Sequence, residues 1–342
     1  MRFGLVLPIQ TVGGSLEQLL DELRAEVRAA DRAGFDAFFL PEFHQARGGG
    51  VVSPLLVGAA LAEHTERIRV GQAVLAGPLH HPVRVAEDLL MLSWLTRGRA
   101  LLGLGTAHLA PDFALYGVER SSRFRRLPEM IEVIRAAWSG QPFDIDGEFG
   151  RWAGQVTPGP FRSVPPELWL GAHGRGGLEL AGAQADVWIA DPQRHVDVVA
   201  RLAETYRAAA HASGRPARVA LFRDGWIAGS RAECERKWLP GALAVHRLYY
   251  NVGTYHREFE PWVDAVRDRS AFTPELVAPG RFLYGTGEQI RAEVQDWRKV
   301  TGCEYIALRM RQPGGPDHRR TLEAIERFGA EVIAPLAQGD TP

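Results

Sequence analysis

The 342-residue sequence predicts an α/β fold, a closed parallel (β/α)8 TIM barrel with insertions. Three observations carry that prediction. Eight short apolar runs recur along the chain, most are followed by apolar residues at helical spacing, and the length exceeds the ~250 residues of a typical barrel. With 46% hydrophobic and 24% charged residues the composition is globular, and residues 1–342 read as one domain.

The first strand is Arg2-Phe3-Gly4-Leu5-Val6-Leu7-Pro8, an apolar run closed by proline. Ser15 with Gln18 forms a capping box, and Leu16, Leu19, Leu20, Leu23, Val27 and Ala30 follow at helical spacing until Gly34. Phe35-Asp36-Ala37-Phe38-Phe39-Leu40-Pro41 is the second strand. A helix near 53–65, strand 68–75, helix 82–96 and strand 100–105 continue the alternation. Phe124, Leu127, Ile131, Ile134 and Trp138 then mark one face of a helix that begins near Leu127 or is kinked at Pro128. Beyond the Pro/Gly-rich stretch 141–166 lie strand 167–172, helix 177–184, strand 186–190, helix 195–212 and strand 218–223. Residues 225–300 read as helices and loops, the last helix carrying Ile290, Val294, Trp297 and Val300 before Gly302. The eighth strand is Glu304-Tyr305-Ile306-Ala307-Leu308, and a final helix presents Leu322, Ile325, Phe328, Val332 and Leu336. The insertions therefore fall near 141–166 and 225–300, and Phe38, Phe39, Trp94 and Trp138 lie on core periodicities.

Several partner classes are excluded by composition. Forty Lys+Arg against 41 Asp+Glu leave a formal charge of -1, which attracts neither nucleic acid nor an anionic membrane surface. No apolar run approaches the ~18 residues of a membrane span, and the opening apolar stretch is too short for a signal peptide, so a cytoplasmic location is expected. Cys234 and Cys303 stand far apart without a CxxC, which removes a disulfide framework and a zinc cluster.

In such barrels function gathers at the carboxyl ends of the strands. The second strand delivers Glu42-Phe43-His44, the fourth Thr106-Ala107-His108, the fifth His173-Gly174-Arg175-Gly176-Gly177 and the eighth Arg309. No two of the rim histidines share HxH or HxxxH spacing with a nearby carboxylate, so no metal is expected. The glycine run ends a strand and opens a helix, where exposed amides and Arg175 can hold an anion, although glycines equally serve an ordinary turn. Arg123 is either a second phosphate contact or, with Arg125 and Arg126 beside it, part of a solvated helix face. Glu42 either supports His44 or pairs with an arginine, and His80-His81-Pro82 reads as shaping a loop. The dinucleotide fingerprint is absent, since His108 stands where its third glycine belongs, and there is no Walker loop.

Taken in order, the residues resemble the luciferase-like flavin monooxygenase family. The resemblance runs from Arg2-Phe3-Gly4-Leu5 through Gly34-Phe35-Asp36 and Leu40-Pro41-Glu42-Phe43-His44. It continues with Pro78, His81-Pro82-Val83-Arg84, Glu87-Asp88, Gly98-Arg99, Asp112-Phe113 and Tyr116-Gly117, and ends with Gly285-Thr286, Gly302 and Pro335-Leu336. No single tripeptide is specific; the ordered series over most of the chain is.

The resemblance implies a bacterial luciferase-like barrel that takes reduced FMN from a separate flavin reductase and uses O2 to oxidise a small organic substrate. Phosphate contacts then fall on Thr106, the backbone of His108, Arg123, the backbone amides of His173 and Gly174, and Gly177, with Arg175 beside them. A non-prolyl cis peptide falls on Ala73-Val74, under the flavin ring. His44 becomes the acid/base or hydrogen-bond donor and Glu42 its support. A substrate pocket is expected from 108–118, 224–228 and the long insertion, whose Trp226, Tyr249, Tyr250, Tyr255 and Trp262 suit an apolar or aromatic compound. A homodimer through helices near the second and third strands also follows from the resemblance. Two departures stand out: Phe43 occupies the position of the family's first histidine, and Gly174 and Gly177 replace hydroxyl side chains at the phosphate. A deazaflavin-dependent hydride transferase and a noncatalytic flavin-binding subunit are the alternatives.

Overall fold

A computed structural model describes residues 1–8, 14–45, 50–266 and 271–339. The strands are β1 (Arg2–Val6), β2 (Ala37–Leu40), β3 (Arg69–Gln72), β4 (Leu75–Ala76), β5 (Leu101–Gly105), β6 (Phe143–Asp146), β7 (Arg151–Gly154), β8 (Glu167–Gly171), β9 (Val187–Ala190), β10 (Val219–Ile227), β11 (Phe282–Gly285) and β12 (Tyr305–Arg309). The α-helices are α1 (Leu16–Ala33), α2 (Pro54–Ala62), α3 (Pro82–Leu95), α4 (Ala110–Leu115), α5 (Arg123–Trp138), α6 (Arg175–Gln184), α7 (Val196–Ala212), α8 (Arg231–Lys237), α9 (Leu239–Asn251), α10 (Pro274–Val277), α11 (Gly287–Thr301), α12 (His318–Phe328) and α13 (Ala334–Gly339).

The main sheet is parallel throughout, in the order β3-β2-β1-β12-β10-β9-β8-β5-β4. β3 and β4 are two parts of one stave, interrupted at the cis peptide Ala73-Val74, so pairing of β3 with β2 and of β4 with β5 closes the ring at eight staves. The expected barrel and the expected cis bond are both present.

Inside the ring, alternate strand residues pack on one another: Phe39 lies 5.3 Å from Trp169, and Trp169 meets Tyr305 edge-on at 4.8 Å. Above this filling, space is made by missing side chains. A Cβ on Gly103 would run into the Gln72 carbonyl, and one on Gly105 or Gly171 would lie 2.6 or 3.3 Å from the methyls of Val74. The staves therefore admit the Gln72–Val74 backbone at the top of the barrel only because glycine faces it.

The structure departs from the sequence expectations where local pattern is a poor guide to surroundings. β10 runs on to Ile227, and β11, buried but only four residues long, pairs with its last part in a region expected to be helix and loop. A run that short shows no period. β6 and β7 form an antiparallel hairpin inside the first insertion. Helix α5 starts at Arg123 and contains Pro128, leaving Phe124 61% exposed instead of on the core face. Trp94 is likewise 43% exposed; its indole donates to the Gly159 carbonyl at 2.8 Å and covers Phe161. On α11 the buried residue after Trp297 is Thr301, while Val300 is exposed. Ser15 caps α1, but the Gln18 side chain turns to Glu22 and does not complete the box.

Candidate functional site

At the end of β2 the chain turns Glu42 into the space between the strand ends, with the side chain 1% exposed. Three donors meet its carboxylate: the Ala76 amide at 2.5 Å, His80 Nε2 at 2.9 and 3.1 Å, and His44 Nε2 at 2.8 Å. Burial pushes the Glu42 carboxyl up. The hydrogen bond and charge of His80, the Ala76 amide and the charge of His44 outweigh it, so the group stays below its ordinary range. Glu42 thus pairs with two histidines, not with an arginine. His81 has the expected loop role, its Nδ1 accepting from the Arg84 amide at the start of α3, but its neighbour His80 belongs to the site. On the far side of His44, Nδ1 faces the Tyr116 hydroxyl at 3.4 Å. Phe43, at the departure from the family pattern, packs against the outer apolar layer.

Across the mouth, the loop after β5 and the start of α6 collect cationic groups and free amides. Arg120 donates to the His108 carbonyl at 3.1 Å, and Arg123 donates to the Arg120 carbonyl at 2.9 Å. Loss of hydration pushes the His108 pKa down, as do Arg120, His173 and Arg123, against the pull of Asp112. These groups therefore share one electrostatic neighbourhood. Gly174 caps α6 without a side-chain acceptor, and a Cβ at Gly174 or Gly176 would meet nothing within 4 Å, so the first-turn amides are approachable. Gly177 packs against Ala172, and His173 Nδ1 lies 3.6 Å from Asp191. Arg175 points away along its own helix, 87% exposed and paired with Glu179 at 2.9 Å.

A third polar group, of which the sequence pointed only to Arg309, closes the side of β10 and β12. Asp224 accepts from Arg309 Nε and Nη2 at 2.6 and 3.0 Å, from His246 Nε2 at 2.7 Å and from Gln312 Nε2 at 2.5 Å. Burial raises the Asp224 pKa, but Arg309 and His246 hold it far below the usual carboxylate range. Arg309 also donates to the Tyr249 hydroxyl at 2.8 Å, and His246 Nδ1 lies 2.5 Å from the Tyr255 hydroxyl.

The expected substrate-lining aromatics do not line an open pocket together. Tyr250, Tyr255 and Trp262 pack on Phe272, and Trp226, 5% exposed, belongs to the outer apolar layer. Toward the mouth Val74 and Phe222, half-buried, pack on the side chains that fill the ring, and Thr106, Ala107 and Ala172 are half-buried just beyond the ends of their strands. Two clefts, about 420 Å³ beside Ser15, Glu22 and His318 and about 240 Å³ beside Trp226, Lys237 and Arg320, include none of the Glu42, Asp224 or α6 groups in their lining.

A parallel barrel with a buried histidine–carboxylate cluster and an uncapped, approachable helix start gathered at the carboxyl ends of its strands has the layout of an enzyme-type barrel. The chain belongs to the luciferase-like monooxygenase family, whose profile matches residues 1–303. It is 37% identical over 319 residues to limonene 1,2-monooxygenase of Rhodococcus erythropolis, covering 92% of this chain and 80% of the relative. In fold it resembles the oxygenating constituent of 3,6-diketocamphane monooxygenase of Pseudomonas putida, solved with FMN. The TM-score is 0.81 at 20% identity, with 98% of each chain covered. It also resembles the coenzyme F420-dependent tetrahydromethanopterin reductase of Methanopyrus kandleri, with TM-score 0.75 at 18% identity and 98% and 99% covered. Among the described residues no helix is long and apolar enough to cross a membrane.

The Glu42 cluster makes a stability prediction. A carboxyl with a depressed folded pKa stabilises the fold above its ordinary value of 4.5, and that contribution is lost as pH falls through the lower folded value. Glu42→Gln should cost about 1–3 kcal/mol at pH 7, because two histidines and an amide lose a charged acceptor. Urea unfolding should show the gap to wild type narrowing as pH falls below 4.5.

Proposed function

We propose that the chain is the oxygenating component of a two-component flavin-dependent monooxygenase, receiving reduced FMN from a separate flavin reductase and using O2 to oxidise a small apolar or aromatic compound. The observation that carries this reading is the layout of the mouth: an uncapped helix start at α6 with Arg123, the apolar Val74 and Phe222, and a buried histidine–carboxylate cluster. That is the donor set a phosphorylated, planar, partly apolar cofactor requires. Thr106, the His108 backbone, Arg123, the amides of His173 and Gly174, and Gly177 would hold the phosphate, with Arg175 contributing only its field. Ala73 and Val74 would support the ring. Bound reduced flavin supplies the two electrons that activate O2. Glu42 keeps His44 oriented as the proton-handling group, a role that Phe43, with no titratable group, cannot take. The likeness to a limonene monooxygenase supports an apolar substrate, since limonene is a hydrocarbon.

The proposal includes a homodimer. α2 is apolar all round yet leaves Leu56 71% exposed, and the adjoining α3 exposes Met91 at 47% and Leu95 at 57%. Light scattering should give a dimer at micromolar concentration, and Leu56→Arg with Leu95→Arg should give a folded monomer. A wild-type monomer overturns this part.

With a flavin reductase, NADH, FMN and a panel of monoterpenes, labelled O2 should place one labelled oxygen atom in a product. Hydride transfer from a reduced deazaflavin with no label incorporated would instead select the deazaflavin reading. Binding of FMN with no turnover of any kind would favour the noncatalytic one. Arg123→Ala should weaken FMN binding by about 1.5–3 kcal/mol, the worth of a charge-assisted hydrogen bond, measured by flavin fluorescence.

A further inference from the structure

Glu42 determines more than the position of His44. An ionised carboxylate only accepts hydrogen bonds, so the His44 nitrogen facing it must carry a proton. In the neutral ring that leaves Nδ1 with a lone pair, and the Tyr116 hydroxyl stands 3.4 Å from it, the two rings 4.8 Å apart. Both nitrogens of His44 are thus engaged, and the residue is only 7% exposed. A molecule lying in the mouth meets neither nitrogen unless Glu42 or Tyr116 gives way. Tyr116, at the carboxyl end of α4 in the loop after β5, is 41% exposed on the same rim.

We infer that the Tyr116 hydroxyl, with His44 behind it, is the group that exchanges protons with the bound substrate. The inference rests on reading this mouth as the oxygenation site. In the deprotonating direction an O–H present after oxygenation, since an apolar substrate brings none of its own, breaks and its proton joins the Tyr116 oxygen, while the Tyr116 proton passes to His44 Nδ1. The imidazolium so formed lies against the Glu42 carboxylate. The reverse sequence delivers a proton; no electrons change hands in either. Tyr116 enters and leaves as the neutral phenol, in keeping with its raised pKa, which burial and the charges of Glu42 and Asp112 produce. The groups facing it are His44, Glu42, His80 at 6.4 Å between rings, and Asp112, whose carboxylate also takes the Gln45 amide at 3.2 Å. The arrangement of acid–base group, histidine and orienting carboxylate follows the general logic of catalytic triads, with a phenol in the leading position.

Tyr116→Phe keeps the ring that packs on His44 and removes only the hydroxyl. The expected result is a fall in kcat of about 100-fold or more with FMN affinity unchanged. A kcat within threefold of wild type, or an equal loss of FMN affinity, overturns the assignment. A second readout is independent of turnover: nitrogen NMR of 15N-histidine-labelled protein without flavin. The wild type should show His44 with protonated Nε2 and a hydrogen-bonded, unprotonated Nδ1, and Tyr116→Phe should shift the Nδ1 signal toward that of a free lone pair. A proton resident on Nδ1, or no shift in the variant, ends the relay whether or not the protein oxygenates anything. A wild type with the expected NMR pattern but no label incorporation would count against the monooxygenase reading alone.

Discussion

Removing a carboxylate from water costs several kcal/mol unless other donors take water's place, and at Glu42 they come from three separate parts of the chain. His44 is two residues on, Ala76 ends the neighbouring broken stave, and His80 follows the short turn beyond it. Each is held by what surrounds Glu42, and in return each is aimed. The tautomer of His44, the placing of Tyr116 and the top of the third stave all follow from that one buried charge. The backbone there can reach Glu42 because Gly103, Gly105 and Gly171 leave the Gln72–Val74 segment room.

A second buried carboxylate plays the corresponding part across the mouth. Asp224 gathers Arg309 and Gln312 from the end of β12 and His246 from α9, so the long insertion is tied to the last staves through a satisfied, ionised centre. Between the two carboxylates stand the apolar Val74 and Phe222, and the third side is the open start of α6. Such a mouth is polar at its edges and apolar at these two residues. That division would suit the phosphorylated, planar cofactor of the proposed function.

The sequence was most informative where a rule joins local pattern to place. Apolar runs ended by glycine or proline located the staves, and the strand-end rule brought Glu42, His44, Thr106, His108, His173 and Arg309 to one rim. His80, Asp224 and His246 were missed because their meaning lies in partners 38, 22 and 85 residues away, and no spacing records such pairings. Trp94 and Phe124 show the opposite limit: helical periodicity identifies a face but not whether protein covers it. One signal was overlooked. Glu179 stands four residues after Arg175, the spacing of a pair along one helix, and that pairing turns the arginine outward.

The insertion's attachment has a consequence for how reactants enter. Its His246 is bolted under the barrel mouth, and further along, the fully buried Glu260 and Arg281 pair with each other while Arg281 also grips the Gln193 carbonyl at 2.7 Å. Swinging His246, Glu260 or Arg281 aside would strand several charges without partners, so these attachment points act as masonry instead of a hinge. Under the proposed function, selection among substrates would then be a matter of the contour of standing walls, and enlarging the range of accepted compounds would call for carving side chains rather than loosening a joint.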